Sequence, residues 1–123
     1  MNTSRKINQG DIFWIVPDAA GESELGFYQH PYVVIQDSVL NQSRLSTVVV
    51  CALTSNVRQA KDPGNVLLDM GEANLPKQSV VVVSKVSSVN KTQLGEYIGS
   101  LTEQRIKQIF AGMQFLQKSY FGG

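Results

Sequence analysis

The stretch Ser46-Thr47-Val48-Val49-Val50-Cys51-Ala52-Leu53 carries the strongest strand signal in the chain, and Thr54-Ser55-Asn56 ends it. Toward the N-terminus, Gly10-Asp11 opens a second β-branched and aromatic run, Ile12-Phe13-Trp14-Ile15-Val16, which Pro17-Asp18 closes. That composition predicts a strand buried on both faces or nearly so. Between the two runs, residues 18–29 (DAAGESELGFYQ) hold two glycines, three acids and little periodicity, as a long irregular loop does. His30-Pro31 then starts Tyr32-Val33-Val34-Ile35-Gln36, where proline is tolerated at the first strand position and forces His30 to be extended. Residues 37–43 are polar and turn-rich.

Downstream, residues 58–64 (RQAKDPG) form a polar connection with Asp62-Pro63-Gly64 as its turn, and residues 65–69 (NVLLD) predict a short strand. Residues 79–89 (SVVVVSKVSSV) are long for one straight strand, so Ser84-Lys85 predicts a bend or bulge. A short helical turn is expected over residues 91–96. Only the C-terminus reads as a full helix: Leu101-Thr102-Glu103 supplies an N-cap and an early acid, and Ile106, Ile109, Phe110, Met113 and Leu116 recur at helical spacing. Five or six strands with short connections predict a mainly β, α+β fold. Its form is a strongly twisted antiparallel sheet or small barrel with a C-terminal helix laid against it.

Composition narrows the function classes. A chain of 123 residues fits one domain spanning 1–123, and 42% hydrophobic against 17% charged residues is the balance of a folded protein. Eleven Lys and Arg against ten Asp and Glu leave a net charge of +1, which excludes a strongly basic nucleic-acid coat or tail. With Cys51 as the one cysteine and His30 as the one histidine, there is no intramolecular disulfide and no Cys/His cluster, and neither metal nor cofactor is expected. The apolar runs fall far short of a bilayer span and the N-terminus lacks a signal-peptide core, so no membrane partner and a cytoplasmic location are expected.

Chemistry rests on few side chains. His30 lies where an acidic loop meets a buried strand, and histidine is the residue type suited to proton transfer near neutrality. Thr54 ends the most hydrophobic strand, where its hydroxyl either caps a turn or faces a cleft. Glu22 and Glu24 read as solvated loop charges; Phe13, Trp14, Phe110 and Phe115 as core; Cys51 as a small buried hydrophobe. There is no phosphate-cradling GxxxxGK[ST], no GxGxxG and no GxSxG.

Read in order, several segments resemble the MazF/PemK family of toxin-antitoxin toxins. They are Gly10-Asp11-Ile12-Phe13-Trp14, the acidic Gly21-Glu22-Ser23-Glu24 loop, Pro31-Tyr32-Val33-Val34-Ile35-Gln36, TVVVCALTS over residues 47–55, and residues 79–83 leading to Val89-Asn90-Lys91. The resemblance implies an SH3-like barrel and a homodimer silenced by a cognate antitoxin. It also implies metal-free cleavage of single-stranded RNA at a short motif, the ribose 2′-OH attacking the adjacent phosphate. The family's pattern has an arginine directly before the second-strand proline and a threonine ending the third strand. Thr54 keeps the threonine, while Gln29-His30-Pro31 puts His30 in the arginine's slot, where it lacks a permanent bidentate charge but can move protons. Ser87 stands where the family often has a basic residue. The resemblance therefore implies catalytic roles for His30, Thr54 and Glu24, with RNA contacts from Gln36, Asn56, Arg58, Lys61 and Lys85. Two other readings share the scaffold: a non-catalytic binder resembling the gyrase poisons, and a catalytically degenerate partner-binding dimer.

Overall fold

The computed structural model describes residues 6–16 and 29–122. Glu22, Glu24 and all of the acidic loop but Gln29 lie outside the described residues. Six strands are present: β1 (Asp11–Ile15), β2 (His30–Val34), β3 (Thr47–Thr54), β4 (Val66–Leu67), β5 (Val80–Asn90) and β6 (Leu94–Ser100). They form one sheet in the order β4-β5-β3-β2-β1-β6, with every pairing antiparallel. β4 and β6 are its two edges, so the sheet is open and not closed into a barrel. A one-turn helix, α1 (Ser38–Asn41), occupies the polar 37–43 connection, and α2 (Glu103–Phe121) follows β6.

The strands form where branched side chains alternate between two buried faces. Ile12, Val33, Cys51 and Leu53 belong to one cluster, which Ile109 of α2 joins; Phe13, Ile15, Val34, Val48 and Val50 belong to another. β1 is buried on both sides, as its composition requires. The expected break in β5 is a register shift: Cys51 pairs with Val86 but Leu53 with Val81, so residues 82–85 bulge beside a single step of β3. The Cys51 thiol donates to the Val82 carbonyl at 3.1 Å, giving a bulge oxygen a partner. Burial pushes that thiol up to about 12, against a smaller opposing effect of the Ala52 backbone, so Cys51 stays protonated and inert at neutral pH.

Two expectations are corrected. Residues 91–93 form the helical turn, capped by Asn90 and Gln93, but Leu94 already begins β6, a strand the sequence did not announce. On α2, Ile109 and Gly112 are buried and Met113 and Leu116 pack on the core, whereas Phe110 and Phe115 are 37% and 54% exposed. Phe110 sits one residue, about 100° of rotation, past Ile109, and that step carries it off the packing face. Thr102 caps the helix as expected, accepting the Arg105 N–H.

α2 is held to the sheet at two points. Gly112 lies directly on the backbone of Gly64, at the Asp62-Pro63-Gly64 turn. Two turns earlier, Arg105 grips Glu72 with two hydrogen bonds of 2.9 and 3.0 Å, and Glu72 Oε1 also accepts the Asp69 N–H. Partial burial works to raise the Glu72 carboxyl, but the Arg105 hydrogen bonds and charge, with the Asp69 N–H, outweigh it and hold the group below its ordinary range. Since the folded value is depressed, the pair's contribution is full above the unfolded carboxylate value and is lost as pH falls through the folded one. Glu72→Gln is expected to cost about 1 kcal/mol near neutrality. The gap in urea midpoint between the two proteins should stay constant down to about pH 5 and close in stronger acid; a gap that widens in acid overturns this account.

Candidate active site

The site is assembled by strand register. Pro31 keeps His30 extended at the first position of β2, where it pairs with Ile15 of β1. β2 and β3 pair Tyr32 with Ala52, and the same register carried two residues further sets His30 opposite Thr54 on one sheet face. Thr54, at the end of β3, pairs with Val80 at the start of β5. Its Oγ1 accepts the Asn56 N–H at 3.1 Å, so the hydroxyl caps the turn and is held in place by it. A hydroxyl has one proton and two lone pairs, so accepting one bond leaves the O–H able to donate. Turn cap and cleft group are one and the same here.

Two clefts meet at this pair. The first, about 330 Å³, takes apolar lining from Trp14, Pro31, Leu53, Leu75 and Pro76, and polar lining from Gln29, His30, Thr54, Ser55, Lys77 and Ser79. The second, about 300 Å³, is lined by His30, Thr54 and Leu53 again, with Tyr32, Ala52, Val82 and Lys85. Among these lining residues there is no Asp or Glu, and neither lysine pairs with a carboxylate among the described residues. Among the described residues, then, the charged side chains lining the two clefts are Lys77 and Lys85.

The other expected contacts distribute unevenly. Lys85 lies on the bulge of β5 and lines the second cleft. Arg58 and Lys61 are exposed on the 3₁₀ turn Val57–Lys61 that leaves β3 directly, outside the lining of both clefts. Asn56 caps that turn, its side chain accepting the Arg58 N–H at 3.2 Å. Gln36 is occupied inside the fold: its amide donates to Asn41 and the Thr47 carbonyl and accepts from Val49 N–H. That bonding ties α1 to β3, away from the clefts, and takes up the groups that would have read a base edge. Glu24 lies outside the described residues. Among the described residues no group of three His, Cys, Asp or Glu side chains is placed to hold a metal ion.

Sequence reasoning missed Lys77 and assigned Trp14 wholly to the core. A signal existed for the lysine. Antiparallel pairing of β3 with β5 brings the start of β5 beside the end of β3, so a cation just upstream of Val80 has to land near Thr54.

A model of the PemK-like, MazF-like toxins of type II toxin-antitoxin systems matches residues 8–116 of this chain. The chain belongs to the PemK/MazF toxin family. It is 32% identical over 110 residues to endoribonuclease MazF6 of Mycobacterium tuberculosis, covering 88% of this chain and 94% of that one. It is 27% identical over 103 residues to endoribonuclease MazF of Staphylococcus saprophyticus, with 84% of each covered. Among solved structures, the Mycobacterium tuberculosis toxin MazF-mt6 superposes with a TM-score of 0.70 at 20% identity, covering 91% of this chain and 96% of that chain. MazF in the MazE-MazF complex of Deinococcus radiodurans gives 0.67 at 17% identity, with 97% and 98% covered. These structures share the PemK/MazF fold of a twisted antiparallel sheet with a C-terminal helix. No helix of the described residues is long and apolar enough to cross a membrane.

Proposed function

We propose that the His30–Thr54 waist carries the endoribonuclease activity of this toxin, cutting single-stranded RNA without a metal. The ribose 2′-OH loses its proton and attacks the adjacent phosphorus; the P–O5′ bond breaks, leaving a 2′,3′-cyclic phosphate and a 5′-OH that gains a proton. His30 is the proton-transfer group. The Thr54 hydroxyl, already oriented by the Asn56 N–H, donates to a non-bridging phosphate oxygen as charge builds there. Lys85, lining the second cleft, holds a phosphate of the strand beside the waist. Asn56, Arg58 and Lys61, on the segment leaving β3, are placed to meet the RNA beyond the waist. The observation that carries the reading is that His30 and Thr54 line both clefts, with no carboxylate among the described residues that line them.

The working form is a homodimer held inactive by a cognate antitoxin, in keeping with solved relatives that include an endoribonuclease in complex with its antitoxin. It acts in the cytoplasm, where transcripts are. Incubating the protein with a long RNA in EDTA and mapping ends by primer extension is expected to give discrete cuts at a recurrent short motif, each with a 5′-OH. Intact RNA in EDTA, or cuts bearing a 5′-phosphate, would rule the mechanism out.

A further inference from the structure

The first cleft holds more than the reaction needs. His30 and Thr54 line both clefts, and the first is also lined by Trp14, Pro31, Leu75, Pro76 and Lys77. That is apolar lining with an aromatic side chain and one cation that pairs with no carboxylate among the described residues, the combination that packs a nucleobase and holds a neighbouring phosphate. Lys85 stands in the other cleft, on the bulge of β5, so the two lysines lie in different clefts that share His30 and Thr54. Lys77 precedes β5 and Lys85 lies inside it, with Val80 and Val81 paired to Thr54 and Leu53 between them in the chain.

We infer that Lys77, with Trp14 and the Leu75-Pro76 wall, forms a nucleotide subsite on one side of the cut, Lys85 holding the RNA phosphate on the other. The RNA strand crosses the His30–Thr54 waist from one cleft to the other, and the footprint is set by these two cations. The inference rests on the nuclease reading for the polarity of the waist, but Lys77 binds whether or not the bond breaks.

Two measurements test it. The first is binding of a mixed-sequence single-stranded RNA, 2′-O-methylated throughout and so uncleavable, by the full chain and by Lys77→Gln and Lys85→Gln. Each substitution is expected to raise Kd about fivefold and to flatten the slope of log K against log salt by about 0.7, one single-strand phosphate contact. The second is cleavage of an oligonucleotide centred on a mapped cut and shortened from either end. Shortening one end should erase the effect of Lys77→Gln alone, and shortening the other that of Lys85→Gln alone. A Lys77→Gln protein with the wild-type Kd and salt slope overturns the subsite, as do two lysines whose effects vanish on trimming the same end. Wild-type protein that binds with the Lys77 dependence yet leaves RNA uncut in EDTA supports the subsite and overturns the nuclease reading. Cutting with no Lys77 dependence does the reverse, and wild-type protein that does not bind RNA overturns both.

Discussion

His30→Ala and Thr54→Val are each expected to lower RNA cleavage in EDTA by about 10²- to 10⁴-fold, the range of a lost proton-transfer group or a lost donor to a developing oxyanion. The two losses should differ in kind. His30 is exposed at the edge of the clefts and pairs through its backbone, so His30→Ala should leave the thermal midpoint nearly unchanged while removing one limb of the pH–rate profile. Thr54 is half-buried and its oxygen accepts the Asn56 N–H, so Thr54→Val also loosens a turn, at about 1 kcal/mol. Thr54→Ser keeps the hydroxyl and is expected to retain most activity. If Thr54→Ser is as dead as Thr54→Val, the hydroxyl is not the active feature; if His30→Ala keeps the pH profile intact, the proton moves by another route.

The second large effect is structural. Gly112→Ala would raise helix stability by about 1 kcal/mol at an open position. Here a Cβ on Gly112 meets the Gly64 carbonyl, backbone against backbone, and neither side has a rotamer to swing away. Gly64 is itself fixed at φ +82 in the turn, so the strain falls on the seating of α2. The net expectation is destabilisation of about 1–3 kcal/mol, a fall in Tm of roughly 5–15 °C. Ala111→Gly, on the exposed side, is the control and should cost only about 1 kcal/mol from backbone entropy. A Gly112→Ala protein that melts at or above wild type would mean that α2 is not seated as described.

How much of this was legible in the sequence follows from what each element depends on. β1, β3 and the first half of β5 announce themselves because their valines and isoleucines are buried on both faces, and α2 because its cap and spacing are local. β6 was unreadable: Leu94-Gly95-Glu96-Tyr97-Ile98-Gly99-Ser100 has no β-branched run. Its pairing with β1 shifts register twice, and Gly95 is there because the Trp14 carbonyl passes too close for any side chain. Of the twisted sheet or small barrel that short connections predict, the open twisted sheet is what forms: among the described residues no bond joins β4 to β6. In the candidate site, His30 and Thr54 stand out in the sequence because each sits at a strand end marked by its neighbours. Lys77 could not be found by local pattern, since only the pairing of β3 with β5 brings it to the waist. Gln36 misled because a polar residue ending a strand looks available, whereas three backbone or side-chain partners already occupy its amide.

The bulge in β5 divides that strand into two regimes of mutational tolerance. Residues 80–83 are buried and hold the core, while residues 84–88 are exposed, and the bulge over residues 82–85, where the two halves meet, is clasped by the Cys51 thiol at Val82. On the proposed reading, changes of charge or size in the outer half would alter what meets the RNA beside Lys85 without passing strain to the inner half. On that reading, the motif that is cut would be free to drift while the fold stays put.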